Sequence, residues 1–509
     1  MQLVEKTPRS FFGEPWLANL MVAVLFVLGF GIRMVDLTDM PLDFHPTRQF
    51  LSAVKARGMY YQYAPNVPDW QREIAVQRWK DADVFEPAVN ETVVAGLYLL
   101  FGEHLWIARI CSSIYWLLGG LALYALACRV ASRDGAIVGL AYYLLLGFGV
   151  FASRSFQPDP LMVSLILWGL WAFYRWQEEK SWRWTILAGL LCGLAIFVKT
   201  VAVFPLLGAI ALTILSTQGW KQAFKDPQAW VLALLAVLPA AMFMVDSLYI
   251  SKNSNLSADL RFFPSFWTDP MFYVHWKNMI ANTLGLDAFL LAGLGIILAK
   301  PGKDRSLLIG LVLGYIAYGL MFSYHITTHN YYQLPLFVYI PLALAVVGAV
   351  LFQKLKEVNA ASNLVRLAVG GIIFFAISFE MWNVRVELVK DDYRAEAQFW
   401  AELGEKLGHS TPVIGLTQDY GNRLAYWGWK TTDQWPTVGD QNLRELAGKA
   451  KPFDQIFAER TEGKKYFLVT NFNQFDRQAE LKDKLFKTFP VVEKKQEYII
   501  FDLQHPITQ

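Results

Sequence analysis

Residues 16–35 read Trp-Leu-Ala-Asn-Leu-Met-Val-Ala-Val-Leu-Phe-Val-Leu-Gly-Phe-Gly-Ile-Arg-Met-Val, and Asp43-Phe44-His45-Pro46-Thr47-Arg48-Gln49 follows shortly after. The first stretch matches the ~20 apolar residues that an α-helix needs to cross a bilayer. It lacks a small-residue cleavage site, so it reads as a retained span and not as a cleaved signal. The second stretch gathers a carboxylate, an imidazole and a guanidinium beside that span. Such a cluster is costly to desolvate and marks a cavity with a task.

The same pattern extends along the chain. Of 509 residues, 55% are hydrophobic, 15% aromatic and 17% charged, where soluble domains carry nearer a quarter charged. The apolar residues fall in long runs at 16–35, 106–130, 135–152, 160–177, 183–199, 201–217, 229–250, 286–300, 306–324, 333–352 and 365–382. These predict a polytopic α-helical membrane protein with about 11 transmembrane helices over 1–382. Residues 383–509 predict a soluble α/β domain. Helices are expected at 395–407, 441–449 and 478–487, with short apolar strands at 412–417, 465–470 and 497–502. No Gly-rich phosphate loop follows the first strand, which argues against a nucleotide site there. A net charge of +3 without a basic tract gives no reason to expect nucleic acid. Cys111, Cys128 and Cys192 lie in apolar runs without metal-ligand spacing and read as packing residues.

Lys and Arg set the orientation. Arg129 and Arg133; Arg175, Lys180 and Arg183; Lys221 and Lys225; Lys300, Lys303 and Arg305; and Lys354, Lys356 and Arg366 fall in alternate loops, which the positive-inside rule places in the cytoplasm. The opposite side then holds the long loop 36–105, the turns at Asp159 and Lys199, the loop 251–285, the turn His325–Tyr332 and everything after 383. Nearly every unusual polar residue falls there. Within 36–105, the segments 47–63 and 70–80 are amphipathic. They are expected either to lie in the headgroup layer or to form a lid on the bundle.

Several residues on that side suit chemistry, each with a structural alternative. Asp43 is a candidate base beside His45 and Arg48, or a helix cap. Glu86 precedes the second run, in Phe85-Glu86-Pro87. Asp159, with Arg154, sits in Arg154-Ser-Phe-Gln-Pro158-Asp159-Pro160, where a helix N-terminus favours a carboxylate. Lys199 is a point charge suited to phosphate, or a snorkelling lysine. His325 and His329, at i, i+4, would bind a metal on a helix, whereas Thr327, Thr328 and Asn330 argue for a turn. Trp427, Trp429 and Trp435 suit sugar stacking or, more simply, a core.

With these residues together, the chain resembles the GT-C membrane glycosyltransferases. More narrowly, it resembles the protein-O-mannosyltransferase-like group that includes the aminoarabinose transferases of lipid A. The matching words are Asp43 after the first span, Glu86-Pro87 before the second, Arg154…Pro158-Asp159 before the fourth, and His329-Asn330-Tyr331-Tyr332. The resemblance implies an inverting transferase using a polyprenyl-phosphate-sugar donor and a glycan, lipid or protein acceptor at the outer face of the plasma membrane. Asp43 would be the catalytic base, and Asp159 would orient the acceptor, or Asp43 through Arg154 or a cation. Arg48, Arg154 and Lys199 would bind the donor phosphate, while His45, Glu86, His329, Tyr331 and Tyr332 would line the pocket. No organic cofactor is implied, no metal ligands are assigned, and a divalent cation is left open. Two words depart from the group. Aminoarabinose transferases carry a Lys-Pro-Pro-Leu type word where Glu86-Pro87-Ala88-Val89 stands, and protein mannosyltransferases carry Asp-Glu where Asp43-Phe44 stands. Neither acceptor therefore carries over. Rival readings are a flippase for a lipid-linked sugar, which would need internal repeats and midplane charges, and an envelope scaffold working through 383–509.

Overall fold

The computed structural model describes residues 11–250, 261–357 and 363–507. Part of the expected loop 251–285, residues 251–260, lies outside them. All eleven expected spans fall on helices. Seven helices are individually long and apolar enough to cross a membrane: Pro15–Arg33 (α1), Leu105–Val130, Thr200–Gln218, Pro227–Tyr249, Lys303–Met321, Leu336–Glu357 and Leu364–Leu388. Two bent helix pairs, Arg133–Leu145 with Gly147–Arg154 (58°) and Pro270–Leu284 with Leu286–Leu298 (96°), are long and apolar enough when each pair is taken together. The remaining two expected spans are the helices Asp159–Glu179 and Trp182–Val198, which pack together within the bundle. Residues 270–284, expected in a loop, are thus the first arm of a bent helix pair. The last span runs past the expected edge at 382 to Leu388.

The long loop folds into α2 (Pro46–Tyr63), α3 (Asp69–Lys80) and α4 (Val89–Phe101). Pro46 opens α2, where its missing N–H costs nothing. Every residue from Gln49 to Gly58 is buried, so α2 does not lie in the headgroup layer. It is the packed alternative: α3, α4 and the C-terminal helix Asn422–Trp427 enclose it. Its charged residues face protein. Arg57 Nε donates to Glu103 Oε1 (2.7 Å), and its guanidinium lies over the Tyr426 ring at 3.6 Å.

The helix from Leu105 to Val130 is α5. The bent crossing comprises α6 (Arg133–Leu145) and α7 (Gly147–Arg154). Breaking a helix in an apolar environment strands backbone carbonyls and N–H groups that water cannot reach. Two charged side chains satisfy them. Arg33, fully buried at the end of α1, donates Nη1 to the carbonyls of Gly29 (2.6 Å) and Leu144 (2.9 Å). It also donates Nε to Ser153 Oγ on α7 (2.6 Å). At the start of α7 the Gly147 N–H donates to Glu380 Oε1 of the last span (3.0 Å). Cation and carboxylate thus sit where the two helix dipoles favour them.

The C-terminal residues form a five-stranded mixed sheet in the order β2-β1-β3-β5-β4, with β1 Val413–Leu416, β2 Asp433–Gln434, β3 Tyr466–Val469, β4 Val491–Lys494 and β5 Ile499–Asp502. β1 pairs parallel to β2 and β3, while β5 pairs antiparallel to β3 and β4. The three expected strands are β1, β3 and β5, each almost wholly buried. β2 and β4 were not expected. β2 has two residues, and β4 is mostly exposed and charged, so neither shows an apolar run. Trp435 is core, Trp427 packs on Phe50 (centroids 4.6 Å), and Trp429 lies against Arg57 and Trp70, so all three tryptophans pack.

α6 meets the helix Leu336–Glu357 through small residues. A Cβ on Gly135 would overlap the Ala345 carbonyl oxygen, and one on Gly139 the Pro341 carbonyl oxygen. Close helix approach of this kind requires glycine. Gly135→Ala and Gly139→Ala are each expected to cost about 1–3 kcal/mol by overpacking. This is read as a lower melting temperature in detergent. Gly371→Ala, where a Cβ meets nothing, is expected to show no loss.

Candidate functional site

Asp43 is held by side chains from three helices. Arg109 on α5 donates Nη2 to Asp43 Oδ1 (2.9 Å) and to the Met40 carbonyl (3.2 Å). Arg154, at the end of α7, donates Nη1 to the Val35 carbonyl (2.8 Å) and Nη2 to the Asp36 carbonyl (3.0 Å). Its Nε stands 3.8 Å from Asp43 Oδ2. Gln49 on α2 donates to the carbonyls of Pro41 (3.1 Å) and Phe44 (2.7 Å) and accepts the Phe156 N–H (3.0 Å). The arginine side chains are 2% and 1% exposed, whereas the Asp43 side chain is 17% exposed. The carboxylate is therefore fixed from behind and open in front. Oδ1 is engaged, and Oδ2 accepts no hydrogen bond from the described residues.

The chain then turns sharply. His45 has φ +43°, a left-handed conformation that costs a non-glycine residue about 1–2 kcal/mol. This turn carries the chain from Asp43 to a second charged group. His45 Nε2 bonds Asn330 Oδ1 (2.6 Å), and its ring meets Tyr331 edge-on at 4.7 Å. Arg48 Nη2 grips Glu86 at both oxygens (2.8 and 2.9 Å). Lys199 Nζ grips Asp159 at both oxygens (2.9 and 2.8 Å) and lies 5.0 Å from the Tyr331 ring centre. Tyr332 stacks between Tyr318 (5.6 Å) and His325 (5.5 Å), with His329 nearby.

Burial and these neighbours set the titration of the loop groups. Burial alone pushes Glu86 up, but Arg48 and Lys199 more than reverse it, and its carboxyl lies below the usual range. Burial lowers His45, opposed by Asn330 and Asp159. It pushes His325 down to about 3, helped by His329. His329 falls to about 4 through burial and the charges of His45 and Arg48. Burial raises Tyr331 to about 12.

The expected residues divide accordingly. Arg48, Glu86, Lys199, Asp159, His45, His329, Tyr331 and Tyr332 gather in one group, while Asp43 stands with Arg109 and Arg154. Of the three expected phosphate-binding cations, Arg154 stands apart from Arg48 and Lys199: its two Nη groups donate to backbone carbonyls beside Asp43. Asp159 is likewise not joined to Asp43 through Arg154. It is 2% exposed and chelates the Lys199 ammonium, because Pro158 and Pro160 fix it at a helix start beside the end of the Trp182–Val198 helix. His325 lies on the short helix Ser323–Thr328 and His329 just past its end, with ring centres 5.6 Å apart. Among the described residues no group of three or more His, Cys, Asp or Glu side chains is arranged to hold a metal.

Sequence reasoning missed Arg109, Gln49 and Arg33. An ionisable residue inside the apolar run 106–130 was signal enough for Arg109. Gln49 carried no signal. Arg261 was also missed, and its charge acts on His325, Tyr331 and Tyr332. The C-terminal region reaches the same turn. Thr47 Oγ1 donates to Asp419 Oδ1 (2.8 Å), at the start of three successive left-handed residues, Asp419, Tyr420 and Gly421.

Comparison with known proteins fits this geometry. A family profile described as dolichyl-phosphate-mannose-protein mannosyltransferase matches residues 86–245. ArnT from Cupriavidus metallidurans, solved bound to undecaprenyl phosphate, superposes with a TM-score of 0.61 at 15% identity, over 96% of this chain and 97% of that one. The oligosaccharyltransferase of Archaeoglobus fulgidus in its apo form gives 0.53 at 12% identity, over 94% and 73%. Its complex tethered to an acceptor peptide gives 0.51 at 11%, over 96% and 74%. The chain has the fold of the GT-C glycosyltransferases. It is a multi-pass membrane protein of that architecture, and the family match points to a glycosyltransferase. No curated protein sequence matches it significantly.

The buried histidines of this GT-C fold predict a pH dependence. Each binds a proton more readily unfolded (pKa about 6.5) than folded. Their cost is absent above pH 6.5 and grows as pH falls toward 4. Lowering pH from 7.5 to 5 is expected to destabilise the protein by on the order of 1 kcal/mol per histidine. Thermal melts of the wild type and of the His325→Gln/His329→Gln double variant check this. The variant is expected to lose less.

Proposed function

We propose that the chain is an inverting glycosyltransferase. It moves a sugar from a polyprenyl-phosphate donor to an acceptor hydroxyl at the outer face of the plasma membrane, in glycosylation of envelope polysaccharide, lipid or protein. One observation carries this reading: two clusters of charged side chains flank the left-handed His45 turn, one built around a single carboxylate and one around two cations paired to acids. On one side stands a single open carboxylate oxygen, Asp43 Oδ2. On the other stand two cations with donors to spare. Arg48 uses only Nη2 on Glu86, and its Nε and Nη1 make no hydrogen bond with the described residues. Lys199 uses two contacts on Asp159 and has a third N–H.

The chemistry follows from that division. Arg48 and Lys199 hold the donor phosphate and neutralise the charge that gathers on it as the sugar leaves. Glu86 and Asp159 fix those cations in place. Asp43 Oδ2 takes the proton of the acceptor hydroxyl. The hydroxyl oxygen bonds to the anomeric carbon from the face opposite the phosphate. The carbon–phosphate-oxygen bond breaks, its electron pair leaves on polyprenyl phosphate, and the anomeric configuration inverts. Only one base is needed for this course, as in inverting sugar transfer generally. Arg109 and Arg154 position Asp43 and touch no substrate. Tyr331, His45 and His329 line the sugar's side of the site, and Tyr332, stacked between Tyr318 and His325, backs them. The ArnT structure with undecaprenyl phosphate supports a carrier of this class.

Purified protein is expected to release free polyprenyl phosphate from a radiolabelled polyprenyl-phosphate sugar in the presence of membrane acceptors. Asp43→Asn is expected to lower turnover by about 10²–10⁴-fold, the usual contribution of a general base, with unchanged expression and donor binding. Lys199→Met is expected to weaken donor binding. Near-wild-type turnover by Asp43→Asn contradicts the assignment, and movement of intact donor without its cleavage favours a flippase.

A further inference from the structure

The loop that carries Asp43 is also held from the C-terminal side. Tyr393 and Arg394 stand between the last span, which ends at Leu388, and the helix Glu396–Leu407. The Tyr393 N–H donates to Asp39 Oδ1 (3.0 Å). Arg394 Nη2 donates to Asp36 Oδ1, and its Nη1 lies 3.8 Å from Asp39 Oδ1. Among the described residues, Arg394 is the one cation within ion-pair distance of either acid. Asp392 Oδ1 steadies it, accepting the Arg394 backbone N–H (3.1 Å) and Nη1 (2.9 Å).

Asp36 joins this contact to the Asp43 group. Its φ is +47°, a left-handed conformation like that of His45. Its side chain meets Arg394, while its carbonyl accepts Arg154 Nη2 (3.0 Å). The Nε of the same Arg154 stands 3.8 Å from Asp43 Oδ2. The charges acting on Arg154 are those of Arg109, Asp43, Asp36 and Asp39. Three carboxylates thus share the field of Arg154, and Arg394 offsets two of them.

Position and stability separate here. Arg394 is largely exposed, and exposed ion pairs contribute only about 0–1 kcal/mol to folding. The carboxylates it meets are mostly buried, so their charge is poorly screened once unpaired. Without Arg394, the Asp36 carboxylate competes for Arg154, which already holds the carbonyl of that residue. An Arg154 turned toward Asp36 leaves Asp43 to Arg109 alone.

We propose that Arg394 is a positioning residue for Asp43. It neutralises Asp36 and Asp39, so Arg154 stays turned to Asp43 Oδ2 and the base keeps its orientation toward the acceptor hydroxyl. This rests on the assignment of Asp43 as the base. It gives the junction of the C-terminal domain a part in the transfer step.

Two measurements on the full chain in detergent test it: release of undecaprenyl phosphate from radiolabelled undecaprenyl-phosphate sugars with membrane acceptors present, and equilibrium binding of undecaprenyl phosphate. Arg394→Met is expected to lower kcat by about 10–100-fold, the range for a reacting group displaced by up to ~1 Å. Its affinity for undecaprenyl phosphate is expected to stay at the wild-type value, which also reports intact folding. Arg394→Lys is expected to keep most of the turnover. Adding Asp36→Asn to Arg394→Met is expected to restore most of the loss, because the unpaired charge is gone and asparagine suits a left-handed backbone. Wild-type kcat in Arg394→Met overturns the inference, and so does a loss that Asp36→Asn does not relieve. A fall in undecaprenyl phosphate affinity alongside kcat marks a structural role and overturns it too. All three leave the base standing if Asp43→Asn loses turnover in the same assay. Near-wild-type turnover in Asp43→Asn overturns the base and this inference with it.

Discussion

The structure depends on buried arginines that bond to backbone carbonyls instead of forming simple ion pairs. Arg33 ties the bent pair together by donating to the Leu144 carbonyl at the end of α6 and by reaching Ser153 on α7. α7 then delivers Arg154 to the carbonyls of Val35 and Asp36, where the chain leaves α1. Arg109 closes the other side through Met40 and Asp43. Arg109 and Arg154 fix a stretch of loop that has no regular structure. A carbonyl in an apolar bundle has few other donors, so these contacts decide where the loop goes. The result is a loop tied down at several points, with one carboxylate oxygen left without a hydrogen bond from the described residues.

That rigidity explains the left-handed His45. Asp43 is tied to α5 and α7, while Pro46 must start α2, which is buried on all sides. The single residue between Phe44 and Pro46 absorbs the change of direction. Backbone strain of this kind persists only where the surroundings over-determine it, and it gathers at functional sites. Here it lies between Asp43 and Arg48, which four residues of chain separate and which face different partners. The C-terminal region adds its own left-handed turn at Asp419–Gly421, bonded to Thr47, and so closes over the same start of α2.

Much of this was legible in the sequence, and the limits have physical causes. The eleven apolar runs mark helices because a span must carry its apolar length in sequence. The strands β1, β3 and β5 declared themselves as short apolar runs, while β2 was too short and β4 too exposed. The residues of the second charged group each stood out in the sequence as a charge or aromatic beside a span, and the fold brings them together. Their partners were not. Sequence proximity joined Arg154 to Asp159, whereas in the fold Arg154 turns to the α1 exit and Asp159 to Lys199. Amphipathic spacing in α2 left a headgroup-layer helix and a packed lid as alternatives, because periodicity records only that two faces differ. It does not say whether the polar face meets water or, as here, Glu86, Glu91 and Glu103.

The account's central claim is that substrate phosphate and catalytic carboxylate occupy the two different groups flanking His45. A structure of the protein with bound undecaprenyl phosphate tests it most directly. The phosphate is predicted within hydrogen-bond distance of Arg48 and Lys199, with Asp43 Oδ2 left open on the other side of the His45 turn. A phosphate bound instead at Arg109 and Arg154, displacing Asp43, would contradict it.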